Sequence, residues 1–137
     1  MNATDYKLWQ NAWRVGFAPQ LLDAELVALR DALRDDDPRL MQGGTVSVRA
    51  TAGYSIKCAC AIAFCGWQGG LETFAEVEEF FAALCFEADQ RLEEPAGCRW
   101  FLNWFDETPR DQMRQELLIE VEATLAARQE QPVEARP

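Results

Sequence analysis

Histidine is absent from all 137 residues. The chain therefore lacks the side chain that titrates nearest neutral pH, the usual general base and the commonest metal ligand. Serine-histidine and cysteine-histidine catalysis within the chain are excluded with it. Serine is nearly absent too: Ser47 and Ser55 stand alone, and neither sits in a nucleophile elbow. Gly43-Gly44-Thr45 is glycine-rich but lacks the Gly-Lys-Ser/Thr of a phosphate loop, and no strand-loop-helix frames a dinucleotide fingerprint. No cofactor is expected. Paired carboxylates remain the one catalytic residue type in supply, but a solvated charged face is the simpler use of them. The expectation is a protein that is not an enzyme.

Positive charge is also scarce. Only 13 residues are basic, eleven of them arginine, against 23 acidic residues, for a net charge of −10. Binding to a phosphate backbone needs clustered Lys and Arg, so direct nucleic-acid binding is not expected. Docking on an anionic membrane is disfavoured for the same reason. Long hydrophobic runs are missing: the most apolar, Cys58 to Trp67, is about half of the ~20 residues a membrane span requires. The N-terminus from Met1 to Lys7 is polar and does not read as a secretory leader. With an odd number of cysteines, five in all, free thiols and a cytoplasmic location are expected.

What is present is an ordinary globular composition, 49% hydrophobic and 26% charged. A chain of this length forms one domain and buries about two-thirds of its unfolded surface. The pattern predicts an all-α, compact single-domain bundle of about five or six helices over residues 1–127, with a disordered tail over 128–137. Tyr6, Trp9 and Trp13 give a first helix an aromatic face, and Gly16 is expected to end it. A second helix should start at Pro19 and align Leu22, Leu26, Leu29 and Leu33. Pro38 should close it after the acidic run Asp35 to Asp37, which suits a helix C-terminus poorly.

Residues 43–53 read as an extended loop. Thr45 to Val48 favour a strand, but no convincing partner is in view. Tyr54 to Trp67 is ambiguous by periodicity and is read as a central buried helix. Thr73 with Glu76 forms a capping box, followed by the apolar stripe Phe74, Val77, Phe81, Leu84, Ala88 and Leu92. Glu76, Glu79, Glu87 and Glu94 occupy the other side. A short helix holds Trp100, Phe101, Trp104 and Phe105. Thr108-Pro109 should cap a last helix whose stripe is Met113, Leu117, Val121 and Leu125.

The functional reading rests on charge and aromatics. From Glu72 to Glu94 there are eight acids against Arg91 alone, a net of −7. Trp100 and Trp104 share one side of a helix that is apolar on most of its circumference, so fold or partner must enclose it. Enclosure by the fold is the plainer expectation. The candidate partner-binding residues are Glu76, Glu79, Glu87, Trp100, Trp104 and Arg110, and the partner is another protein with a basic surface; self-association is compatible with this. Arg110 also reads simply as an intrahelical partner of Asp106 or Asp111, and Arg114 as one of Asp111. A charge mimic that blocks a nucleic-acid-binding protein is the alternative. A cysteine-based metal or redox protein ranks behind both, because the cysteines lack paired metal-ligand spacing and sit among apolar residues as core filler.

Overall fold

The fold was analysed in a computed structural model, which describes residues 8–43, 46–47 and 56–130. The chain enters as an α-helix over 8–11, widens into a π-helix over Ala12–Phe17 and tightens into a 3₁₀ turn over Ala18–Gln20; together these form α1. There follow α2 (Asp23–Asp35), β1 (Val46–Ser47), β2 (Ile56–Cys58), α3 (Ala61–Gln68), α4 (Phe74–Leu92), α5 (Cys98–Glu107) and α6 (Arg110–Gln129). The expected all-α bundle is what forms, with six helices among the described residues.

Gly16 does not end α1. It lies buried within the π-helical stretch, where its missing side chain lets α4 approach: a Cβ there would stand 3.1 Å from the Ala88 Cβ. Pro19 falls in the 3₁₀ turn, and α2 starts four residues later. Leu22 consequently leaves the stripe, 64% exposed at the N-cap, while Leu21 is buried with Leu26, Leu29 and Leu33. The Glu25 carboxylate accepts from the Leu22 N–H at 2.8 Å and steadies that turn.

The helix read over 54–67 is divided. Ile56–Cys58 forms β2 and pairs antiparallel with β1, Val46 opposite Cys58 and Ser47 opposite Ile56. This is the partner that the sequence did not disclose for 46–47. The helix begins at Ala61, where Ala61 through Gly66 are all buried, so no polar face marks a period. Gly66 is required by α4: a Cβ there would lie 2.5 Å from the Phe80 ring.

α1 packs on α4, α2 lies along α6, α3 fills the space between α2 and α4, and α5 closes against α1 and α4. Phe101 of α5 is at the centre of the aromatic core, with ring centroids 5.5 Å from Trp13, 5.4 Å from Phe17 and 6.1 Å from both Trp104 and Phe105. Such spacing suits edge and tilted ring contacts. Trp9, Trp13 and Phe17 follow one another by fours, a step that drifts around a regular helix of 3.6 residues per turn. The wider π turn offsets that drift and keeps all three turned toward α5.

α6 continues two residues beyond Ala127, where a frayed tail was expected to begin. Arg128 anchors its last turn, donating to the Ala18 carbonyl and the Asp23 carboxylate, each at 2.8 Å. Of the expected tail, 131–137 lie outside the described residues, as do Tyr6 and 48–55. Among the described residues no helix is long and apolar enough to cross a membrane.

Candidate functional site

α4 begins as its sequence dictates. Thr73 Oγ1 accepts from the Glu76 N–H at 3.2 Å, and the Glu76 carboxylate accepts from the N–H groups of Thr73 (3.0 Å) and Glu72 (3.1 Å). Those N–H groups hold the Glu76 carboxyl below its ordinary pKa. Glu76 is therefore committed to the fold. Glu87 pairs with Arg91 one turn on at 3.0 Å, and Asp89 accepts the Cys98 N–H at 2.8 Å at the start of α5. Glu72, Glu78, Glu79, Glu93 and Glu94 make no ion pair among the described residues.

The centre of the solvent side of α4 is apolar apart from Glu79. Ala75, Ala82, Ala83 and Phe86 are exposed there, opposite the buried Val77, Leu84 and Ala88. Phe86 is 68% exposed, the most open large hydrophobic among the described residues. Its place nine residues beyond Val77 puts it half a turn from the buried line, a signal that was available in the sequence. The surface is thus a small apolar centre with Glu79 on it and Glu78, Glu76 and Glu87 beside it.

The aromatic candidates separate. Trp104 is 3% exposed and stacks on Trp9, so the fold encloses it as expected. Trp100 is half-buried at the edge of a cleft. Arg110 belongs to neither surface. Its Nε donates to Asp36 at 2.6 Å and its Nη2 to the Asp37 carbonyl at 3.1 Å, across to the end of α2.

Arg114 joins it there, donating to the Leu33 and Arg34 carbonyls at 2.8 and 3.1 Å, with a longer contact of 3.4 Å to Asp111. The intrahelical reading of Arg110 with Asp106 or Asp111 is corrected: its partner is on another helix. Two arginines of α6 supply the cationic cap that the acidic end of α2 lacks. Asp36 takes the left-handed conformation (φ 52°) at that C-cap, and its carboxyl is held below the ordinary range by the Arg110 hydrogen bond.

The thiols are placed as filler. Cys60, Cys65 and Cys98 are buried, and Cys58 and Cys85 are half-buried. Burial pushes Cys60 and Cys98 up to about 11 and raises Cys65 and Cys85 as well. Such thiols carry almost no thiolate at neutral pH. Among the described residues no group of three or more His, Cys, Asp or Glu side chains is placed to hold a metal ion.

The fold defines the class of the protein, a compact all-α bundle. Set against family models, curated proteins and solved structures, the chain matches none of them.

Proposed function

We propose that this chain is a non-enzymatic protein-interaction module that engages a basic partner through the outward side of α4. The carrying observation is the pairing of an exposed apolar centre, Ala82, Ala83 and Phe86, with carboxylates that the fold leaves uncompensated. Eight arginines are spent on internal ion pairs, seven of them away from α4, so the net −7 of residues 72–94 is not neutralised by folding. An apolar anchor inside a charged rim is the usual anatomy of an interface, and the charge steers the approach of a basic surface. Docking of α4 on α4 of a second copy would oppose like charges, so the partner is a different chain.

The experiment is capture of the partner from the native host on the full-length protein, followed by affinity measurement with the purified partner. Phe86→Ser and the double reversal Glu78→Lys/Glu79→Lys should each weaken binding about tenfold or more, and added salt should weaken the wild type. Gln115→Lys on α6 should change little. Unchanged affinity in both α4 variants, with circular dichroism showing them folded, would refute the reading.

A further inference from the structure

A second surface belongs to α6, which packs on α2 and more lightly on α1. The solvent side of a surface helix ordinarily carries its charges. Here it carries none: from Gln112 to Ala127 every exposed residue is uncharged, in a chain of net charge −10. The charged residues of that stretch are buried or half-buried and turned to partners within the fold. Arg14 donates to Glu120 at 2.8 Å, Arg34 pairs with Glu122, and Arg114 reaches carbonyls of α2. Glu116 is the one without an ion pair among the described residues, and its carboxylate accepts from Gln112 at 2.9 Å.

The uncharged face is graded in size. Gln112, Gln115 and Ile119 occupy its first half, and Ala123, Ala126 and Ala127 its second, all of them exposed. Ile119 is 65% exposed, second only to Phe86 among the large hydrophobics described. Beside the small half, α1 and α6 leave an open groove of about 460 Å³, to which Ala18, Pro19, Ala123 and Ala127 contribute. Ile119 stands one turn before Ala123 on the same side, so this knob cannot turn into the hollow of its own helix.

A helix large at one end and small at the other is complementary to itself reversed. A two-fold axis level with Val121 runs two copies of α6 antiparallel, setting Ile119 of each against Ala123 of the other and Gln115 against Ala127. The alanines let the helix axes come to the short end of the usual spacing of about 8–10 Å. Glu116 then falls level with Ala126 of the other copy and meets no acid there. Charge selects the occupant. A basic partner of the kind fitted to α4 finds nothing to pair with on this face, whereas a second copy of a strongly acidic chain meets least repulsion where no charge is exposed. We infer that α6 is the interface of a two-fold dimer of this chain, its two helices antiparallel and packed Ile119 to Ala123.

The test is sedimentation equilibrium of the full-length protein from about 10 µM to about 1 mM, the span in which a contact of one helix per copy associates. The mean mass should climb from 15.5 kDa toward twice that value. Added salt should strengthen the dimer by screening the two net charges, the reverse of its effect on the α4 partner. Ile119→Glu, at an exposed position, should keep the circular dichroism of the fold and weaken association about tenfold or more. Phe86→Ser should leave association unchanged. Ala123→Ile alone sets isoleucine against isoleucine and should weaken the dimer, whereas Ile119→Ala/Ala123→Ile exchanges knob and hollow and should restore it. A chain that stays monomeric throughout, wild-type association in Ile119→Glu, a loss in Phe86→Ser, or an exchange no better than Ala123→Ile would overturn the inference.

Discussion

The indoles of Trp9 and Trp104 lie face to face, 3.6 Å between ring centroids and 3° from parallel, joining the start of α1 to the end of α5. Both are enclosed, so the pair bridges segments far apart in the chain at the point where the cleft begins. Trp104→Ala should cost about 3–5 kcal/mol, as truncation of a buried Trp does. Trp9→Phe keeps an aromatic face against Trp104 and should cost about half of that or less. Urea unfolding at constant slope measures both losses. A near-ultraviolet circular dichroism couplet from the stacked indoles should vanish in either variant.

The cap that Arg110 and Arg114 place on α2 makes a prediction about acid. The Asp36 and Asp37 carboxyls are held below their unfolded pKa by hydrogen bonds from Arg110 and Arg39, respectively. Carboxylates shifted down stabilise the fold at pH above their unfolded value, near 4, and lose that contribution as pH falls through the folded value. The melting temperature should therefore drop as pH falls below about 4. In Asp36→Asn the drop should be smaller, from a lower starting point at pH 7. An equal drop in both proteins would dissociate Asp36 from the acid response.

The thiols predict an order of labelling and a response to base. In the native protein at pH 8, a maleimide should label Cys58 first, while Cys60, Cys65, Cys85 and Cys98 stay protected until the fold opens. A cysteine whose folded pKa is raised contributes fully below its unfolded value, near 8.5, and loses that contribution as pH climbs toward the folded value. With Cys60 and Cys98 at about 11, stability should decline between about pH 8.5 and pH 11. Mass spectrometry of labelled peptides and melting curves across that range check the two statements.

Gly66 offers a packing test. Gly66→Ala sets a methyl 2.5 Å from Cδ1 and 2.8 Å from Cε1 of Phe80, and the whole ring must move. A loss of about 1–3 kcal/mol is expected. Phe80→Leu in the same chain should recover part of it, giving a double-mutant coupling that two independent lesions would not show.

The sequence made α4 legible because its cap and its stripe are both local: Thr73 and Glu76 sit within one turn, and Val77, Leu84 and Ala88 repeat at helical spacing. The α5 core was legible as well, since Phe101 and Phe105 have few places to go but inward. What escaped depended on distant partners. The strand at 46–47 is stabilised by 56–58, and the acidic end of α2 by arginines more than seventy residues away. Phe86 lies between: its outward position follows from Val77, but the eye follows the apolar stripe and not its complement. The start of α6 was misleading, because Thr108 resembles an ordinary cap, yet Pro109 takes the N-cap position and no side chain caps the helix.

The π-helical stretch of α1 sets the phase of everything after it. Compared with a regular helix of the same path, its extra residue rotates each later side chain by about 100°. That rotation is what lets Gly16 meet Ala88, and what lets Gln20 reach the carbonyls of Gly16 and Leu84 at 2.9 and 3.0 Å. Between Ala12 and Phe17, the count of residues therefore matters as well as their identity. Loss of a single exposed residue there, Val15 for example, would turn Phe17 out of the core while every other letter stayed the same.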